Sequence, residues 1–277
     1  MGNFGWRLGL APRTPERPVR IALGVEYDGS RFSGWQIQPR APTVQACIEE
    51  ALSRVADQPL RVHCAGRTDT GVHALGQVVH IETDARREAR SWVFGANSNL
   101  PPDVCVLWAR EARADFHARF SAIARRYRYL ILNRPARSGL WASKITWERR
   151  PLDAERMSEG AVCLRGEHDF SAFRSQECQA KTPVRTVHRI EVRRSGPIVA
   201  IEIEANAFLH HMVRNIAGVL LAIGRGDAAS GWAREVLAGC DRSLGGVTAP
   251  PEGLYLMAVC YPETDGILPP VPMMLPF

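Results

Sequence analysis

Lysine is almost absent from this chain of 277 residues: Lys144 and Lys181 stand alone, and every other basic side chain among the 35 Lys plus Arg is arginine. No run approaches the roughly 20 apolar residues that a membrane-spanning helix needs. The stretch from Met1 to Pro18 mixes Arg, Pro and Gly without an apolar segment, so it does not read as a secretory signal. A soluble, cytoplasmic protein is the expectation. The seven cysteines are scattered, none in a Cys-x-x-Cys pair, and their odd number in a long chain argues against a disulfide framework. They read as reduced thiols, and no clustered set suggests zinc. There is no Gly-x-Gly-x-x-Gly and no Gly-Lys-Ser/Thr phosphate loop, so a nucleotide cofactor finds no support.

What is present is an arginine excess. The net charge is +6, from 35 basic and 29 acidic side chains. Residues 1–115 hold 14 Arg against 13 acids, or +1; the remainder holds 21 Lys plus Arg against 16 acids, or +5. The planar guanidinium donates in a fork that suits phosphate and stacks on bases, which makes nucleic acid a candidate partner. The plainer reading is a solvated basic surface.

Strand and helix patterns alternate along the chain. Residues 1–18 and 263–277 read as tails, the second rich in proline. Val19 to Tyr27 reads as a strand ended by Asp28-Gly29. Thr43 opens a helix, its hydroxyl a potential cap, with Val44, Cys47, Ile48, Ala51, Leu52 and Val55 at helical spacing. Strands are expected over 60–64, 76–82 and 104–109, with a helix over 89–97. The second half repeats the rhythm: a strand over 127–132, a helix over 152–164, and strands over 186–193 and 198–205 about the turn Ser195-Gly196-Pro197. The longest apolar stripe follows (Leu209, Met212, Val213, Ile216, Val219, Leu220, Ile223), then a last strand over 254–260. Two mixed modules in tandem, 19–115 and 116–262, suggest an α+β fold with helices on one sheet face.

The segment richest in chemistry is Cys64-Ala65-Gly66-Arg67-Thr68-Asp69-Thr70-Gly71-Val72-His73-Ala74. Two glycines allow tight turns on either side of four polar residues, and an Asp on such a loop can be presented to a substrate. The commoner role of an Asp so placed is an Asx turn. On the late helix, His211, Arg214, Asn215 and Gly218 share the stripe left over by the apolar face. His210 and His211 are adjacent and are expected to diverge around that helix, without further ligands for a metal.

Gly66-Arg67-Thr68-Asp69-x-Gly71-Val72-His73-Ala74 resembles the active-site motif of the tRNA pseudouridine synthase A family. Four other segments resemble that family in its order. They are Val25-Glu26-Tyr27-Asp28-Gly29 with Gly34-Trp35-Gln36; Asp115 to Ala122 with Arg125-Arg126-Tyr127-Arg128-Tyr129; Asn206 to Asn215; and Glu252-Gly253-Leu254-Tyr255-Leu256. The resemblance spans 19–262, with Thr70 where Ala or Ser is usual.

The resemblance implies two ferredoxin-like halves sharing a continuous antiparallel sheet with a central cleft. It implies isomerisation of uridine to pseudouridine in the anticodon stem-loop of tRNA, at about nucleotides 38 to 40, by a homodimer that needs no cofactor or metal. Asp69 would be the catalytic carboxylate, kept ionised by a nearby cation, with Arg214 as its ion-pair partner. Tyr127 would stack on the uracil, its hydroxyl a candidate for proton transfer at carbon-5. Arg67 would fill the gap left by the flipped base, and Leu254 would pack the pocket. The plainer alternatives are a core aromatic for Tyr127, a phosphate contact for Arg67 and simple core for Leu254. A non-catalytic RNA-binding or RNA-chaperone protein on the same fold is the rival reading; a glycoside hydrolase would need a second placed carboxylate, and none is nominated.

Overall fold

The computed structural model describes residues 18–267. Ten strands form one sheet: β1 (Val19–Tyr27), β2 (His63–Cys64), β3 (His73–Thr83), β4 (Val104–Ala112), β5 (Ala124–Asn133), β6 (Thr146–Glu148), β7 (Gly166–Asp169), β8 (Val184–Ser195), β9 (Ile198–Ala205) and β10 (Leu254–Cys260). Their order is β4-β1-β3-β10-β5-β9-β8-β7, with β2 added to β3 and β6 to β5. Five helices complete the fold: α1 (Val44–Ala56), α2 (Ala89–Asn97), α3 (Ala154–Val162), α4 (Met212–Gly224) and α5 (Trp232–Gly239).

The first four strands thus form one wing and β5 to β9 the other, and β10, last in the chain, lies between β3 and β5. Pairing is antiparallel except at two places. β6 runs parallel to β5, and β10 runs parallel to β3 through Tyr255↔His73 and Leu256↔Ala74. The expected α+β fold on a continuous sheet is present and the sheet is mostly antiparallel, with a short parallel seam at its middle where the two wings meet. Antiparallel hairpins join neighbours in sequence, but β3 and β10 are joined through the whole second wing, so no hairpin dictates their direction.

Period-two alternation sorts the side chains of β5 and β9. Tyr127, Tyr129 and Ile131 face the main apolar core with Val199, Ile201 and Ile203. On the opposite face Arg126 and Arg128 pair across the ladder with Glu204 and Glu202, at 2.8 and 2.6 Å. The main core is continuous through both wings, from Leu23, Ile48 and Leu52 to Phe170, Ile216 and Leu220. α4 is buried along almost its full length.

Several expected boundaries shift. The strand at 60–64 shrinks to His63–Cys64, and the helix at 152–164 to Ala154–Val162, where Asp153 accepts from the backbone N–H groups of Glu155 and Arg156. Thr43 precedes α1 but makes no side-chain cap: the carbonyls of Gly34 and Trp35 already take the N–H groups of Val44 and Gln45. α5, β6 and β7 add to the expected elements. Of the expected tails, 1–17 and 268–277 lie outside the described residues. Residues 263–267 are not a free tail: Ile267 is buried, and Asp265 lies 3.8 Å from Arg113.

Candidate active site

Asp69 sits on the loop between β2 and β3, and that loop is clamped from several sides. The Thr68 hydroxyl and the Tyr27 hydroxyl lie 2.8 Å apart. Trp35 donates its N–H to the Thr68 carbonyl at 3.0 Å, and Val72 donates to the Asp69 carbonyl at 3.1 Å. Gln77 donates its amide to the Gly66 carbonyl at 2.6 Å. Gly34 has φ +89° and presses on the loop so closely that a Cβ there would lie 2.9 Å from the Thr68 carbonyl oxygen; glycine is the residue that fits. The loop backbone is thus held before any substrate arrives, which is what a positioned carboxylate requires.

Arg214 projects from α4, in the other wing. Its Nη1 donates to Asp69 Oδ2 at 3.1 Å, and its Nε donates to the Ala249 carbonyl at 2.8 Å. Ala249 returns a backbone N–H to the Arg214 carbonyl at 3.1 Å. The segment 247–249 lies on α4 so closely that a Cβ at Gly218 would collide with the Val247 carbonyl. One guanidinium therefore bridges the loop of one wing and a strap lying on the helix of the other, with the charge-assisted bond on the carboxylate.

The two histidines depart from expectation. α4 begins only at Met212, and His211 precedes it in the left-handed region at φ 62°. The pair therefore does not diverge around a helix: His210 Nε2 lies 3.4 Å from Asp69 Oδ1, and His211 Nε2 lies 3.3 Å from Asp69 Oδ2. Burial lowers the His211 pKa; Asp69 opposes that, and His210 and Arg214 reinforce it. The signal available in the sequence was the His-His pair itself, since a residue just outside a helix is free of helical geometry.

Tyr127 is buried in β5, opposite Leu256 and Ile203 in register, with its ring edge-on to Phe208 at 5.0 Å. Its hydroxyl lies toward the loop, 3.8 Å from where a Cβ on Gly66 would stand. Burial raises its pKa and the charge of Asp69 raises it further, so the phenol holds its proton. That suits a hydrogen-bond donor better than a base. Leu254 opens β10, buried opposite Tyr129. Arg67 is exposed, and among the described residues it makes no hydrogen bond or ion pair. The structure therefore brings Asp69, Arg214, His210 and His211 into contact, places Tyr127 beside the loop, and leaves Arg67 on the surface.

Beneath the loop lies a charge the sequence did not single out. Arg125 is buried and donates to four carbonyls, those of Ala122 and Asn206 through Nη1 and of Ala65 and Arg119 through Nη2. These belong to the Asp69 loop, the turn before β5 and the stretch leading to His210.

The site is thus a carboxylate presented from a glycine-flanked loop where the two wings of a mostly antiparallel sheet meet. Comparison with known proteins narrows this. The model of the tRNA pseudouridine synthase family matches residues 24–121 and 161–262. The tRNA pseudouridine synthase A of Methylococcus capsulatus is 62% identical over 249 residues, covering 90% of this chain and 92% of its own. That of Nitrosococcus oceani is 58% identical over 245 residues, covering 88% and 95%, and that of Coxiella burnetii 54% over 260 residues, covering 93% and 100%. The chain belongs to the tRNA pseudouridine synthase family.

Proposed function

We propose that this protein isomerises uridine to pseudouridine in the anticodon stem-loop of tRNA, at about nucleotides 38 to 40, with Asp69 as the catalytic carboxylate. The observation that carries the reading is the contact between Asp69 and Arg214: a carboxylate on a clamped loop meets a guanidinium from the opposite wing at 3.1 Å. Both routes to products need the carboxylate ionised. Asp69 either attacks carbon-1′ of the ribose or takes the proton from carbon-2′ to give a glycal. In either case the bond from carbon-1′ to N1 breaks, the uracil turns, and a bond from carbon-5 to carbon-1′ forms. Carbon-5 loses its proton and N1 gains one, so the product is an isomer and no electrons are exchanged.

Tyr127 stacks on the uracil, and its protonated hydroxyl donates to the base. Leu254 closes the apolar side of the pocket. Arg67, unpaired and exposed, occupies the space from which the uridine is flipped. The halves 19–115 and 116–262 act as the two walls of the cleft, and the enzyme works in the cytoplasm as a homodimer with tRNA reaching across both subunits. A binding-only relative could dispense with the contact of Asp69 and Arg214, which is why the RNA-chaperone reading is not preferred.

The test is tritium release from tRNA carrying carbon-5-labelled uridine. Asp69→Asn keeps the shape and removes the charge; it should abolish release while tRNA binding is largely kept. Substantial turnover by the purified variant would sink the assignment.

A further inference from the structure

Asp69, His210 and His211 each offer a ligand atom, and these atoms lie within 4.8 Å of one another, an arrangement found once among the described residues. Its dimensions are compatible with one small ion. Zinc bound tetrahedrally at 2.0–2.2 Å from nitrogen or oxygen sets its ligand atoms about 3.3–3.5 Å apart. Each imidazole faces a different oxygen of the carboxylate at about that separation: His210 Nε2 stands 3.4 Å from Asp69 Oδ1, and His211 Nε2 stands 3.3 Å from Asp69 Oδ2. The backbone that carries the two histidines is also held in place. The His210 carbonyl accepts from Ser175 N–H at 2.9 Å, and the His210 N–H points to Cys178 Sγ at 3.5 Å. His211 is fixed in the left-handed region, and its carbonyl accepts from Asn215 N–H at 2.9 Å. A non-glycine residue held there is strained, and such strain gathers at functional sites.

From this geometry we infer that Asp69, His210 and His211 form a binding site for zinc or a similar divalent metal, and that the metal shuts the enzyme off. Two imidazoles and a carboxylate suit Zn²⁺, Co²⁺ or Ni²⁺; they do not suit Mg²⁺, which prefers oxygen ligands and keeps its waters. Three protein ligands leave a fourth position open to water. The inhibitory part rests on the reading of Asp69 as the catalytic carboxylate: once its oxygen is a metal ligand, the carboxylate can neither attack carbon-1′ nor take a proton. Arg214 limits the affinity. Its guanidinium lies 3.1 Å from Oδ2, so an arriving cation meets a like charge across the same carboxylate. The site is therefore tuned to respond to free metal rather than to hold one permanently. A chelator should leave turnover unchanged or raise it.

Binding and inhibition are measured separately, on the full chain. Titration with Co²⁺ should give, at one equivalent, the visible absorption of tetrahedral cobalt without the near-ultraviolet band of a thiolate ligand, and Zn²⁺ should displace it. His210→Ala and His211→Ala should each weaken Zn²⁺ binding by at least about tenfold, the low end of what losing even an outer-sphere partner costs. Arg214→Gln should tighten it. With prefolded tRNA in Mg²⁺, turnover of the unaltered protein should fall along the same Zn²⁺ titration curve and return on adding EDTA. Absence of a one-to-one cobalt signal, a thiolate band, or unchanged affinity in both histidine variants would overturn the site. Zinc held at the site with turnover unaffected would overturn the inhibition; if Asp69→Asn nonetheless abolishes tritium release, the catalytic assignment survives that failure.

Discussion

The guanidinium of Arg125 donates to the carbonyl of Ala65 at 3.0 Å, placing a buried positive charge directly beneath the loop that carries Asp69. Burial lowers its pKa, and three more carbonyls share the charge in place of a carboxylate. Hydrogen bonds to charged groups each contribute about 1.5–3 kcal/mol, and carbonyls stripped of a partner inside the protein are costly. Arg125→Met should therefore destabilise the fold by about 3 kcal/mol or more in urea unfolding. Arg125→Lys, with three donors in place of five, should fall between. Where the lysine variant remains folded, kcat should drop more than tRNA affinity, since the loop is misplaced while the outer surface is intact. Equal losses in both variants with kcat unchanged would mean that Arg125 only stabilises.

Gly218 permits the strap at 247–249 to lie on α4. Gly218→Ala gains helix propensity but drives a methyl into the Val247 carbonyl, and overpacking of this kind costs about 1–3 kcal/mol. The strap should move away and take the Ala249 carbonyl from Arg214 Nε. Calorimetry should show a lower Tm, and single-turnover rates should fall with tRNA affinity nearly kept. A more stable variant of normal rate would show that the strap is free to shift.

Arg67 and a phosphate-binding arginine should differ in salt response. If Arg67 enters the space left by the flipped base, its contribution arises after docking. Arg67→Ala should then lower the saturated rate by far more than it weakens binding, and leave the slope of log affinity against log salt nearly unchanged. A phosphate contact would instead reduce that slope by about one unit. Filter binding at several salt concentrations, with single-turnover rates, separates the two.

Acid should unfold the protein partly through His80. Burial pushes its pKa down to about 3, with His117, His63 and Arg20 adding to the effect. The unfolded imidazole titrates near 6.5, so His80 contributes stability above that pH and loses it as pH falls from about 6.5 toward 3, at up to about 1.4 kcal/mol per pH unit. Its Nδ1 accepts from Ala118 N–H at 3.1 Å, a bond that an asparagine oxygen can take over. His80→Asn should flatten the decline of stability between pH 6 and 4 in urea titrations. An unchanged slope would assign the acid sensitivity to other groups.

Local chemistry made much of this legible in advance. β1, α2, β9 and β10 fall where apolar runs and turn residues set them, because each carries its own pattern. What escaped was information held between segments. The direction of β10 against β3 is decided by the second wing. The missing cap of Thr43 follows from carbonyls of Gly34 and Trp35 that arrive by tertiary folding. An apolar stripe that runs back to Leu209 implies helical divergence for His210 and His211, whereas the helix starts at Met212. Arg125 looked like one more arginine in a basic strand; only the fold shows that it faces inward, while Arg126 and Arg128 face out. Asp69 and Arg214 were named through family resemblance, and their contact is a fact of the tertiary structure, since 145 positions separate them along the chain.

The parallel seam also sets a timetable. β3 gains its pairing at His73 and Ala74 only when β10 is in place, and β10 follows every other strand in the chain. During synthesis the ribosome must therefore release nearly all of the described sequence before the first wing can close. Until then the start of β3, at His73 and Ala74, offers open backbone donors and acceptors beside the Asp69 loop, the kind of exposed edge that invites pairing with another chain. A nascent protein interrupted before Leu254 would carry Asp69 beside an unfinished edge, so aggregation is the expected fate of C-terminally truncated products.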